Sequence, residues 1–429
     1  MRSALRSPRL RRIVAAYTVN RLGTWFGFVA LAVAVFSQTH SALAVAALFL
    51  VSQVVPAFAV PAVVARVEAS PRRGELGGLY FFEAAATSAL AVLLWHFWLP
   101  AVLLLVALDG TAALAANALL RAELARAARA EVEQHHDRIG DGEQAMHDAE
   151  RDANAVLNVA FSATFMLGPA LGGILVAGAG ASAALFIDAV SFVACGALLL
   201  DLRPHVEEAA GDSVRARLSA AWQYINDSAV LRRLLVTEAV ALVFFESAAP
   251  VEVAYAKATL HVGNSGYGLL LTSWGVGAVL GSLLFARAAR KPLAAMLSGG
   301  ALAVGLAYVG LAAAPSLGFA CMAALVGGTG QGVQWASLIS AVQRLTPHDL
   351  RGRIMGAVES IGALSPTVGL TLGGAVAALS SPRVAFLVAG VGAVMTTAAF
   401  LRLAVGHLDP ASADALAAGQ PEPDASHLA

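Results

Sequence analysis

Residues 13–36 read IVAAYTVNRLGTWFGFVALAVAVF, a run in which Arg21 is the single charge. About 20 apolar residues in helical conformation, each rising about 1.5 Å, cross the hydrocarbon core of a bilayer. The run follows Arg2, Arg6, Arg9, Arg11 and Arg12, as a secretory leader would. Its apolar part is nevertheless longer than the roughly 7–15 residues of a leader, and no small-x-small cleavage site ends it early. It therefore predicts a first membrane helix.

Comparable runs recur outward along the chain at 43–65, 76–98, 99–120, 154–178, 181–201, 234–256, 264–289, 292–313, 316–341, 354–379 and 383–405. Of all residues 58% are hydrophobic and 13% are charged, whereas soluble domains carry about 25% charged residues. Backbone groups find no water in lipid, so runs of this length predict helices. The expected class is all-α integral membrane, with twelve transmembrane helices. Arginine and lysine favour cytoplasmic loops. One side collects the N-terminal arginines, Arg66, Arg72, Arg73, Arg121, Arg126, Arg129, Arg203, Arg232, Arg233, Arg287, Lys291, Arg344, Arg351 and Arg353, while the other holds Lys257 and Arg383. Both termini are expected in the cytoplasm.

The organisation predicted is an N-terminal six-helix bundle over 1–202, a cytoplasmic linker over 203–233, a second bundle over 234–406, and a disordered tail over 407–429. Residues 121–152 form a charged, His-containing insertion in the first bundle. Gly168, Gly172 and Gly173 recur as Gly369, Gly373 and Gly374, Phe186 as Phe386, and Ala65-Arg66 as Ala286-Arg287. This echo suits two parallel repeats. Cys195 and Cys321 lie within apolar runs and suggest no disulfide framework.

Four segments carry a resemblance: AxxxLGPALGG at Ala163–Gly173, FIDAVSF at Phe186–Phe192, GYGLLLTSWGVGAVLGSLL at Gly266–Leu284 and QRLTPHDLRGRIMG at Gln343–Gly356. They make the chain similar to the major facilitator superfamily, and within it to the macrolide, multidrug and enterobactin exporters. The resemblance implies two pseudo-symmetric bundles around a cavity. It also implies a gating loop after the second helix, to which Arg66, Glu68, Arg72 and Arg73 belong, with Arg287 as the counterpart of Arg66 in the second half. The family's loop glycine and aspartate are replaced by Pro61 and Ala65, and Thr24 stands where many relatives carry an acid. Glu68 is placed to substitute for the lost loop acid.

An ionisable side chain at mid-membrane costs on the order of 2.5–3.5 kcal/mol, which makes each one a functional candidate. Helices expected to line the cavity carry Arg21, Asp109, Glu246 and Glu359. Arg21 and Asp109 are either a breakable ion pair or a static one. Glu246, among aromatic neighbours, is suited to reversible protonation or to attracting a cation; the alternative is a carboxyl bonded to backbone or serine. Glu83 and Asp188, on peripheral helices, are expected to be structural acids, and Glu238, one turn inside its helix, is expected to snorkel. Asn20, Trp25, Gln331, Gln334 and Trp335 are candidates for contact with substrate, Gln331 and Gln334 sharing a face; interhelical bonding is the blander use of such glutamines.

Glycine clusters such as Gly275-Val276-Gly277 are not set between a strand and a helix, so no nucleotide loop is predicted. His135, His136, Asp137 and His147 lack metal-ligand spacing. No cofactor, metal, nucleic acid or enzymatic activity is expected. The partners expected are a small-molecule substrate, protons and the lipid bilayer, for a monomer in a bacterial cytoplasmic membrane. The function expected is a secondary active transporter performing proton-coupled efflux, an antiporter. An uptake permease and a non-transporting receptor of the same fold are the alternatives.

Overall fold

A computed structural model describes residues 8–69, 74–135, 142–201, 223–288, 291–346 and 351–404. Among them twelve long helices follow one another: α1 (Pro8–Thr39), α2 (Ala42–Ala69), α3 (Glu75–Leu93), α4 (Leu99–His135), α5 (Gly142–Ala179), α6 (Ala181–Leu199), α7 (Ala229–Thr259), α8 (Asn264–Arg287), α9 (Leu293–Ala313), α10 (Leu317–Leu345), α11 (Arg351–Leu379) and α12 (Pro382–Ala404). Ten are long and apolar enough to cross a membrane. The other two are α10, whose middle is diluted by Gly327–Gln331 and Gln334, and α11, whose apolar part is Leu364–Leu379. The chain is an all-α, multi-pass membrane protein, as its hydropathy predicts.

Two elements run further than expected. The charged stretch 121–152 is mostly helix, because α4 continues to His135 and α5 already runs from Gly142. Its alanines, arginines and glutamates are strong helix formers and keep the helix going beyond the apolar span. Helix α7 runs from Ala229 to Thr259 and is interrupted at Ser247–Ala248. Pro250 has no N–H to offer the Glu246 carbonyl, which accounts for the break. The last turn, Tyr255–Thr259, is a π turn closed by Leu260 N–H to the Tyr255 carbonyl at 2.9 Å.

The chain divides into two units. The first comprises Met1–Ala209 and Glu252–Gly275. At its arginine-rich end Ile13, Tyr17, Leu76, Tyr80, Leu120 and Leu199 form a closed core from α1, α3, α4 and α6. Glu123 of α4 is 1% exposed there and accepts from Arg9 at 2.5 Å and from Arg126. A buried carboxylate needs such partners. The far end of α7 and the first half of α8 belong to this unit because Gly268 meets α5 backbone to backbone. A Cβ on Gly268 would lie 2.6 Å from the Pro169 carbonyl and 2.8 Å from the Gly173 Cα.

The second unit comprises Ala210–Val251 and Val276–Ala429. Gly300 and Gly330 bring α9 against α10, each with the other's carbonyl 2.5–2.6 Å from where its Cβ would stand. Arg383, at the start of α12, donates to the carbonyls of Ala312 and Ala314 at 2.8 and 2.9 Å. It satisfies the open carbonyls at the end of α9.

The repeat seen in the sequence is a repeat of contacts. In the first unit Gly168 and Gly172 of α5 face Trp25 and Val29 of α1; in the second, Gly369 and Gly373 of α11 face Val243, Glu246 and Ser247 of α7. Trp25 and Glu246 are separated by 221 positions, the same offset as Ala65 and Ala286. So are His40 and His261, the two non-glycine residues with positive φ among the described residues, 51° and 57°, just past α1 and α7. Phe186 and Phe386 do not match in environment, since Phe186 is 36% exposed and Phe386 is fully buried.

Candidate functional site

Helix α1 has two working faces. Gly23 and Gly27, one turn apart, are pressed against Asp188 of α6, whose carboxylate occupies the space where their Cβ atoms would be. Asp188 is 4% exposed and is 3.4 Å from the Ser191 hydroxyl, which donates to it. Turned toward α5 instead are Arg21 and Trp25, spaced i, i+4 and hence on one face. The Arg21 guanidinium lies 5.0 Å from the centre of the Phe161 ring. Trp25 meets Phe28 and Phe165 edge-on at 5.5 and 5.4 Å, and Phe28 stacks on Phe49 at 4.7 Å. Gly168 leaves room for the indole. The Arg21 Nε and the Trp25 Nε1 are both buried without a hydrogen-bond partner.

The expected Arg21–Asp109 pair is not formed. Asp109 of α4 accepts from Thr87 of α3 at 3.2 Å, and Arg21 is directed at α5. Tyr80, Glu83 and Thr87, at helical spacing on α3, are all buried, with Glu83 fully enclosed. Both carboxyl oxygens of Glu83 and the Tyr80 hydroxyl lack partners, and Asp109 and Asp188 act on Glu83 electrostatically. Three acids from α3, α4 and α6 thus share one interior, and none is in an ion pair among the described residues. Asn20, expected to touch substrate, is 3% exposed and packed inward.

In the second unit, Glu238 corrects the expectation that it snorkels. It is 6% exposed, and both its oxygens accept from the Gln334 amide of α10, at 3.3 and 3.2 Å. Its side of α7 turns toward α10, where an amide satisfies the carboxyl, so water is not needed. Glu238, Phe245, Gln331, Gln334 and Trp335 line a cavity of about 40 Å³, room for a water or two at most. The glutamines and Trp335 are therefore brought together as their spacing predicts. Glu246 sits beside this region on α7, half-buried, its Cβ against Gly369. The Tyr308 hydroxyl of α9 donates to the Phe245 carbonyl at 3.2 Å.

A larger cavity of about 270 Å³ in the first unit is lined by Ser37, Gln38, Ser182, Asn264 and Lys257, among others. The Lys257 ammonium donates to Ser37 Oγ at 2.9 Å. Arg287 is exposed at the end of α8. The side chains of Arg66, Glu68, Glu359, His135 and His147, and residues Arg72, Arg73, His136, Asp137, 203–222 and 407–429, lie outside the described residues. Among the described residues no group of His, Cys, Asp and Glu could hold a metal ion.

The family described as transmembrane secretion effector matches residues 2–428. No match was found among curated proteins. Solved structures share the fold. The nucleoside transporter NupG superposes with a TM-score of 0.70 at 12% identity, covering 92% of this chain and 99% of that one. A bacterial homologue of the iron transporter ferroportin, in an inward-facing state, gives 0.68 at 16% identity, covering 91% and 97%. A bacterial homologue of the human lysosomal transporter Spinster gives 0.66 at 12% identity, covering 97% and 99%. The fold is that of the major facilitator transporters.

Proposed function

The chain belongs to the transmembrane secretion effector family, and on that footing we propose that this transporter exports a hydrophobic or amphipathic small molecule in exchange for protons. The observation that carries proton exchange is the interior of the first unit, where Asp109, Glu83 and Asp188 lie within electrostatic reach of one another without an ion pair. Glu83 and Asp188 are buried and Asp109 is half-buried beside them, a setting in which three unpaired charges together are costly. In this reading a rearrangement that opens Asp109 to water on one side and then the other lets it take up and release a proton. Asp109 is the coupling acid in this reading, being on α4 and held by a single neutral hydroxyl. Glu246 and Glu359 are the corresponding acids of the second half.

Export is favoured over uptake by the family's description as a secretion effector. The substrate surface consists of Trp25 with its aromatic neighbours and of Gln331, Gln334 and Trp335. Arg66, Glu68, Arg72, Arg73 and Arg287 belong to the gating loops. The excess of arginine on one side supports cytoplasmic termini, in a protein read here as a monomer of a bacterial inner membrane.

Everted vesicles incubated in a panel of dyes and antibiotics test this. Inward accumulation driven by an imposed proton gradient is expected for the native chain and is lost in Asp109→Asn, which keeps the hydrogen bond from Thr87. Accumulation in the opposite sense indicates uptake, and normal gradient-driven transport by Asp109→Asn removes that residue as the coupling acid.

A further inference from the structure

We infer that Arg21, Trp25 and the Phe161–Phe165 wall form a recognition subsite for an aromatic anion, a planar ring carrying a carboxylate or an equivalent acceptor group. Its place in transport rests on the export reading above; its chemistry does not.

The inference starts from charge. A cation on a membrane helix is costly unless something answers it, and among the described residues the three membrane acids of the first unit do not. Asp188 is turned to the opposite face of α1 against Gly23 and Gly27, Asp109 is bonded to Thr87, and Glu83 lies with those two. The groups that act on Arg21 are Tyr17, one turn before it on α1, and a second cation, Arg121 of α4. The local field therefore selects for negative charge.

Geometry narrows the ligand further. Arg21 and Trp25 are half-buried and side by side, each with a buried N–H that finds no acceptor. Neither side chain can accept a hydrogen bond itself, so the surface is donor-only and its complement is an acceptor. Flanking these donors are ring faces, Phe161 being 38% exposed. Guanidinium already stacks on this ring, and a ligand ring entering edge-on or offset gains the same kind of contact. A cationic ligand would face two arginines, and an aromatic without an acceptor would leave both donors unanswered. A buried donor without a partner carries a penalty that binding an acceptor removes.

The test is calorimetric titration of the full-length native chain in detergent with three probes of one shape: 1-naphthoate, naphthalene-1-carboxamide and 1-naphthylmethylammonium. Naphthoate is expected to bind on the order of 10- to 100-fold more tightly than the carboxamide, as a charge-assisted bond allows, and the cation is expected not to compete. Arg21→Gln should abolish the preference between naphthoate and carboxamide. Trp25→Phe, which keeps a ring and loses the N–H, should weaken naphthoate by about 2- to 10-fold. Arg121→Gln should flatten the dependence of naphthoate affinity on salt. If Arg21→Gln does not fold, judged by its melting curve, the three-probe ranking and the salt dependence of the native chain decide alone. No naphthoate binding to the folded native chain, equal binding of the cation, or a folded Arg21→Gln that keeps the preference each overturns the subsite. Binding requires no transport, so a chain that binds naphthoate but moves nothing in vesicles refutes export and leaves the subsite, while active export without naphthoate binding does the reverse.

Discussion

The contact of α5 with α1 and that of α11 with α7 are built on the same glycine spacing, yet they press on different things. Gly168 meets the ring of Trp25, whereas Gly369 meets the Val243 carbonyl and the Glu246 Cβ, and Gly373 meets the Ser247 carbonyl. The repeat thus preserves how closely two helices approach and frees the residue at the centre of the contact to diverge. In one unit that residue is an indole beside an arginine; in the other it is a carboxyl beside a break in its own helix. A donor-rich aromatic surface and an acid-bearing one have come from a single scaffold.

The sharpest way to break this comparison is to add bulk to both glycine seams. In Gly373→Leu the new side chain meets backbone at Ser247, which cannot move without shifting α7. Overpacking costs about 1–3 kcal/mol, and the upper end is expected here. In Gly172→Leu the nearest atoms are 3.2–3.4 Å away and include the Val29 side chain, so the loss should be smaller. Melting of the two purified variants in the same detergent checks the order, and equal losses would show that the two seams are not distinguished in this way.

A second comparison sets Glu238 against Glu83. Both are buried acids, but Glu238 has the Gln334 amide as donor and Glu83 has no partner. Glu238→Ala strands that amide inside the second unit, at about 1–3 kcal/mol, while Glu238→Gln keeps an acceptor oxygen for it and should melt close to the native protein. Glu83→Leu, replacing a group with no hydrogen bond to lose, should cost less stability than Glu238→Ala. The reverse order would mean that Glu83 has an acceptor or donor role that its surroundings do not reveal.

What could be read beforehand follows from which interactions are local. Twelve helices and the glycine echo are set by hydropathy and by short-range spacing, and both are present in the fold. The face shared by Gln331, Gln334 and Trp335 is equally local, and those residues do line one cavity. Glu238 was misread because depth along a helix says nothing about direction around it. Only the neighbouring α10, far away in sequence, decides whether the carboxyl turns to water or to Gln334. The Arg21–Asp109 pair failed for the same reason: opposite charges on two helices attract only if both face the same gap, and α1 turns its glycines to the acids and its arginine to α5. The stripe Tyr80, Glu83, Thr87 was visible as a helical spacing, and a polar triad of that spacing in an apolar span is a signal worth reading. Phe161 and Phe165 become part of the site only when α5 is placed against α1.

The smallest effect bears on the break in α7. Tyr308 reaches from α9 to the Phe245 carbonyl at 3.2 Å, and Ser247 Oγ donates to the neighbouring Phe244 carbonyl at 2.7 Å. Both answer carbonyls close to the point where Pro250 interrupts the ladder. Hydrogen bonds between membrane helices average about 0.6 kcal/mol in double-mutant cycles, so Tyr308→Phe should lower the melting point only slightly. Tyr308→Phe combined with Ser247→Ala should exceed the sum of the single changes if the two bonds jointly hold the broken turn that carries Glu246, because neighbouring groups that share one backbone feature couple. The equivalent turn of α1 at Trp25 has no break, and there Thr24→Ala removes only a bond to the Asn20 carbonyl of its own helix. A cycle that is additive at Ser247 and Tyr308 would show that the break stands on Pro250 alone.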